Sequence, residues 1–225
     1  MPSLNEPTFT KRSETLECYL RERGVLKTLV EQPGVVRLLG HDDSKNELLL
    51  SLAPGDSLQS KFEFGHRFEV EEALAIVTSL SRSLTHIHSL GLVHWDLTPG
   101  NVMHSDNSVT LIDFGISYSI SSIPNEFYSG EIGTPQYRSP EHVKGQPQYG
   151  QASDIFNLGV LWYEMLASSA PFDPVLGNIN DQILRYEPDM PKRSDATTQR
   201  LLKALMNKDH TKRPSAAQVL QFLET

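Results

Sequence analysis

Within eighteen residues the chain sets an aspartate, an asparagine and a second aspartate among short apolar runs. Gly91-Leu-Val-His-Trp-Asp-Leu-Thr-Pro-Gly-Asn-Val102 carries Asp96 and Asn101, and Leu111-Ile-Asp-Phe-Gly115 carries Asp113. These segments read as strand, loop, strand, turn and strand, with strands at Val102-Met103 and Val109–Ile112 joined by the turn Ser105-Asp-Asn-Ser108. Taken singly, each of the three is a turn aspartate or a capping asparagine. Taken together, they are the set that phosphoryl transfer requires. One carboxylate orients or accepts the proton of an attacking hydroxyl, and an amide oxygen with a second carboxylate holds magnesium against phosphates.

Around this core the periodicity predicts a helix over 13–31, with Leu16, Tyr19, Leu20, Val25, Leu26 and Leu29 on one face, ended by Pro33-Gly34. Val35-Val-Arg-Leu-Leu39 and Glu47-Leu-Leu-Leu-Ser51 read as strands about the polar turn His41–Asn46, and Ala53-Pro-Gly-Asp56 as a hinge. A long helix from about Val70 should bury Ala73, Leu74, Val77, Leu80, Leu84 and Ile87 and stop at Gly91. Residues 116–140, rich in Ser, Gly, Pro and Tyr, read as a long functional loop, and helical patterns recur near 153–167, 196–207 and 215–224. Early strands followed by later helices imply an α+β fold with unequal lobes and a cleft between them.

A net charge of −8 argues against nucleic acid as a partner, because phosphate backbones are bound by clustered Lys and Arg. It leaves ATP open, since metal ions meet that charge locally. The single Cys18 excludes an intramolecular disulfide and fits a reducing compartment. No apolar run approaches the roughly 18 residues of a membrane span. The segment Met1–Pro7 lacks the pattern of a secretory signal. The cytoplasm is therefore the expected location, with the nucleus open and no membrane partner. The histidines offer no metal site, since His86 and His88 stand two apart on a helix and point to different faces.

The two motifs resemble the catalytic loop and the Asp-Phe-Gly motif of eukaryotic-type protein kinases, serine/threonine-like, and the resemblance runs from about residue 13 to the C-terminus. It implies a bilobal fold with a reduced N-terminal lobe over 1–53 and a mainly helical C-terminal lobe over 54–225. It also implies roles. Asp96 would be the catalytic base, Asn101 a magnesium ligand, Asp113 the main magnesium ligand, and Phe114 the packing element that sets the active or inactive state. Gly133-Thr-Pro-Gln-Tyr-Arg-Ser-Pro-Glu141 is similar to the family's substrate loop, with Thr134 placed to bond the catalytic aspartate. Glu141 and Arg213 match a buried structural pair, and Asp154 a helix aspartate that accepts backbone N–H bonds from the catalytic loop. Upstream, Glu22 matches the helix glutamate that pairs with the ATP-binding lysine. Lys11 is the candidate lysine, and Lys27 faces the wrong way. Ser51, Leu52 and Ala53 would form the adenine-facing hinge behind Leu50.

The chain also departs from the family's pattern. No Gly-x-Gly-x-x-Gly occurs, and only about a dozen residues precede the first helix, too few for the roughly 20 that three strands and two turns need, so the phosphate-covering flap is expected to be missing. Trp95 stands where many kinases carry an arginine that pairs with a phosphorylated residue. Phosphate on Ser117, Ser119, Ser121, Ser122, Tyr128 or Ser129 would then lack its usual partner. Thr98, which belongs to the catalytic set, replaces a lysine that contacts the transferred group, a loss on the order of 10²–10³ in rate. The expected function is an ATP- and Mg2+-dependent protein serine/threonine kinase, slow or partner-dependent. The alternatives are a pseudokinase scaffold that regulates a partner protein and, more distantly, a small-molecule kinase.

Overall fold

The computed structural model describes residues 7–30 and 32–225. Residues 1–6, at the start of the expected N-terminal lobe, and Glu31, at the end of the expected first helix, lie outside them. The chain begins with β1 (Thr8–Arg12) and α1 (Leu16–Thr28), then β2 (Leu38–Asp42) and β3 (Glu47–Ser51). These strands form an antiparallel sheet in the order β1-β3-β2, so among the described residues β1 and β2 are its edges. The Thr15 hydroxyl caps α1 by accepting from the Cys18 amide, with Glu17 in the first turn and Lys27 in the last, both favourable to the helix dipole.

A short strand β4 (Asp56–Ser57) leads into α2 (Leu58–Glu63) and then the long α3 (Val70–Ser89). Next come β5 (Leu92–Val93), the hairpin of β6 (Val102–Ser105) and β7 (Ser108–Leu111), and β8 (Tyr118–Ser119). Strands β4, β6 and β7 form one small sheet, and β5 and β8 another. The remainder is helical: α4 (Pro140–Val143), α5 (Gly150–Ala167), α6 (Ile179–Arg185), α7 (Ala196–Leu205) and α8 (Ala216–Leu223). Helix α5 is the axis of this part, buried along almost its whole length and packed against α3, α4 and α7. At Gly159 a Cβ would lie 2.8 Å from both Leu205 and Met206, so the approach of α7 requires glycine there. Fully burying side chains such as Ile155, Leu158, Leu161 and Met165 contributes about 1.5–3 kcal/mol each, against the entropy of ordering them.

The arrangement is α+β and bilobal, and most expected elements appear. Three expectations need correction. Strand β2 begins at Leu38, not Val35. Val35 and Val36 are buried against β7 instead, through a parallel bridge of Val35 to Leu111 and a 3.0 Å bond from the Val36 amide to the Leu111 carbonyl. The polar His41 and Asp42 are consequently paired in the strand. On α1, Leu16 (56% exposed) and Leu20 (45%) face outward, because the buried stripe runs through Tyr19, Glu22, Val25 and Leu26. On α3, Leu74 is turned out, and Ile76, Ser81 and Ser83 are buried. Helices α2, α4 and α6 had no counterpart in the periodicity.

Candidate functional site

The 91–102 segment is held from behind. Asp154, fully buried on α5, accepts the amides of His94 at 2.9 Å and Trp95 at 2.8 Å, and lies 2.9 Å from His88 Nε2. Those bonds fix Trp95 at φ +71, a backbone conformation that a bulky residue adopts only when its surroundings impose it. The next residue, Asp96, is thereby turned toward the cleft. His94 adds a second tether, its ring lying 3.2 Å from the Ile112 carbonyl and edge-on to Phe114 at 4.8 Å.

The Asp96 carboxylate is engaged on both oxygens. Asn101 donates from Nδ2 to Oδ2 at 3.0 Å and to the Asp96 carbonyl at 2.9 Å. Thr134 donates to Oδ1 from its hydroxyl at 3.0 Å and its amide at 3.2 Å. Gly133, at φ +80, lets the loop turn there. Arg138 secures the same loop by donating to the carbonyls of Glu131, Ile132 and Gly133. The Asn101 carbonyl accepts the Ile112 amide at 2.9 Å, which sets Asn101 beside the residue preceding Asp113. Thr98 is buried at the start of the Pro99–Asn101 turn, and its carbonyl accepts the Asn101 amide at 3.0 Å.

Three charges meet on the other side. Lys11 Nζ lies 2.9 and 2.8 Å from the two Glu22 oxygens and 2.8 Å from Asp113 Oδ1. Glu22 also accepts the Phe114 amide at 3.2 Å, and Asp113 accepts the Gly115 amide at 3.1 Å. Asp113 sits at φ +61, where aspartate is better tolerated than most side chains. Burial draws the Lys11 ammonium down, but Glu22 and Asp113 outweigh it and hold the pKa above its usual value. Burial pushes Asp113 up, and the adjacent Lys11 overcomes that, leaving the carboxyl below the ordinary range. Glu22, wholly enclosed, is raised by burial despite Lys11. Lys27 is exposed on the far side of α1.

Between these charges and the 51–53 segment lies a cavity of about 400 Å³, lined by Phe9, Val36, Leu50, Met103 and Ile112, with Lys11 and Asp113 at one end. Ser51, Leu52 and Ala53 form its rim. The Ser51 amide donates to the Arg37 carbonyl and the Leu52 amide to the Pro7 carbonyl, whereas the Ala53 N–H and C=O carry no hydrogen bond among the described residues. An apolar slot with an unpaired donor and acceptor on its rim, and a cation between two carboxylates at its end, fits a planar base carrying a metal-bound polyphosphate. Asn101 and Asp113 supply oxygen ligands of the kind magnesium takes. No cluster of three or more metal-ligating side chains exists among the described residues, so phosphate oxygens and water would complete such a site.

Sequence reasoning passed over the lining residues Phe9, Met103 and Ile112, and also Arg138. Each is ordinary in type, and only its place marks it. The structure also removes one modification candidate, because Ser117 is fully buried and its hydroxyl donates to the His94 carbonyl at 2.9 Å.

The profile of the protein kinase domain matches residues 5–222. The chain is 30% identical over 209 residues to the human "Hormonally up-regulated neu tumor-associated kinase", covering 89% of this chain and 29% of that protein. It is 29% identical over 224 residues to human "Ribosomal protein S6 kinase alpha-4", covering 96% and 29%. It is 34% identical over 169 residues to "Serine/threonine-protein kinases drp72" of Corynebacterium efficiens, covering 74% and 32%. The chain thus spans about a third of the length of the curated relatives it matches. Among the described residues no helix is long and apolar enough to cross a membrane.

Proposed function

The chain belongs to the protein kinase domain family, and from that premise we propose that it transfers the γ-phosphate of ATP to a serine or threonine hydroxyl of a protein. The observation that carries this reading is the Asp96 carboxylate, pinned by Asn101 on one oxygen and by Thr134 on the other. A carboxylate so fixed, beside a loop that ends in a hydroxyl donor, is arranged to orient an incoming alcohol and take its proton. Lys11, aligned by Glu22, would neutralise phosphate oxygens. Asn101 and Asp113 would hold magnesium, which would supply positive charge against the phosphates. The cavity beside Ala53 would take the adenine, with the rim N–H and C=O bonding its edge.

The test combines binding with transfer. The intact chain should bind an ATP analogue only with magnesium present, and Asp113→Ala should lose that dependence. Asp96→Asn should keep binding but lower phosphate transfer to a protein acceptor by about 10²–10⁴-fold. Equal transfer by Asp96→Asn would refute the assignment.

Two observations favour the second reading, a pseudokinase scaffold. Thr98 brings no cation to the transferred group. Strand β1, which carries Lys11, has no neighbour on its outer side among the described residues, so nothing there covers the phosphate end of the cavity. A melting temperature unmoved by ATP and magnesium would decide for the scaffold.

A further inference from the structure

Glu22 can meet Lys11 only while α1 keeps its angle to the rest of the molecule, and the side chain just before it bears on that angle. Arg21 reaches out of α1 into the 115–129 segment. Its Nη1 donates to the Gly115 carbonyl at 3.3 Å, its Nη2 bonds the Glu126 carboxylate, and its guanidinium lies 5.1 Å over the Phe127 ring. Glu17, one turn back, takes a further bond at 3.1 Å. The Arg21 side chain is largely enclosed in this setting, with 12% of its surface exposed.

Phe127 is itself fixed. It is fully buried and packs with Tyr118 at 5.0 Å and Trp95 at 6.1 Å, and Trp95 stacks on His142 at 4.0 Å. Trp95 directly precedes Asp96, and His142 directly follows Glu141. One aromatic cluster therefore joins α1, the catalytic loop and the end of the 133–141 loop. The contacts within it are apolar or stacked, and Arg21 ties it to the carboxylates of Glu126, in the same segment, and Glu17, on α1. A guanidinium fork takes a carboxylate as readily as a phosphate.

We propose that Arg21 is a positioning residue acting through Glu22. Its clasp on Gly115, Glu126 and Phe127 holds α1 against an activation segment that the Trp95 cluster orders without any phosphate. The clasp is a property of the fold, and its effect on transfer rests on the kinase reading above.

Hydrogen exchange on the whole chain tests the clasp independently of activity. Amides of 18–28 and 115–129 should exchange faster in Arg21→Ala and Glu126→Gln, by about three- to tenfold for a pair that is partly exposed. Arg21→Lys keeps the charge and the ring contact but loses the fork, and should recover part of the protection. Transfer should follow the same order, through kcat, with the KM for the protein acceptor unchanged. Phosphatase treatment of the wild type should leave exchange in 115–129 as it was. Unchanged exchange in Arg21→Ala overturns the clasp, and faster exchange after phosphatase overturns the phosphate-free order. A wild type that binds no nucleotide would refute the kinase reading, while the exchange data would still decide the clasp.

Discussion

Two buried glutamates, one in each part of the molecule, meet a cation in contrasting ways. In the helical part, Arg213 spans Glu141 with Nη1 at 2.5 Å and Nη2 at 2.8 Å. It then bonds the carbonyls of Ala152 and Asn207, while Ser153 supplies Glu141 with a third donor at 2.7 Å. Both Glu141 oxygens and all three guanidinium nitrogens of Arg213 are thus bonded within the fold. In the sheet part, Glu22 is as enclosed, but Lys11 keeps 24% of its side chain exposed and also binds Asp113, itself half open to the cleft. One pair is closed and the other has a side facing outward. A buried ion pair costs desolvation wherever it lies. The closed one recovers that cost in bonds to the fold, and the open one keeps bonding capacity for a ligand. Saturation, more than burial, separates the scaffold pair from the candidate site.

The largest expected effect falls on the closed pair. Glu141→Gln leaves Arg213 buried without its counter-charge and should lower stability by about 3–5 kcal/mol in denaturant unfolding. A loss comparable to that of an exposed pair would break the distinction. Acid should reach this region next. His142 is buried beside Glu141, and burial lowers its pKa to about 4, against the ordinary value near 6.5. The unfolded chain then takes up a proton that the folded chain refuses. Stability is full above pH 6.5 and falls as the pH drops toward 4, by up to roughly 3 kcal/mol. In His142→Phe that part of the acid dependence should vanish. A smaller structural effect belongs to the open pair. Lys11→Met should weaken magnesium-dependent nucleotide binding by more than about tenfold and lower the melting temperature less than Glu141→Gln does. Lys27→Met, on the exposed face of the same helix as Glu22, should change neither, with stability within about 0.5 kcal/mol of wild type.

The floor of the cleft was legible because its chemistry is local. Asp96, Asn101 and Asp113 sit on adjoining turns, and a short stretch of sequence contains all three. The first helix was legible in outline but not in orientation. A search for apolar spacing counts Leu16 and Leu20 and passes over Glu22, yet the buried stripe runs through Glu22, because Lys11 and the Phe114 amide make that carboxylate admissible in the interior. The start of β2 failed for a related reason. Val35 and Val36 are strand-like residues, but β7 claims them from across the sequence. Arg21 and Glu126 stand 105 residues apart and carry no signature of their own, so only coordinates could join them.

Among the described residues strand β1 carries Lys11 at an edge, paired with β3 alone, in a register that sets Lys11 opposite Leu48. Side chains on a strand alternate between faces, so sliding β1 by one position would bring Thr10 or Arg12 to the place of the lysine and turn Lys11 away from Glu22. Two bonds flank the strand against such sliding, from the Leu52 amide to the Pro7 carbonyl at 2.9 Å and from the Ser13 amide to the Asn46 carbonyl at 3.1 Å. The cation's location is thus an alignment that these two end bonds keep in step, and loosening either would misplace a charge without altering a single residue of the cleft.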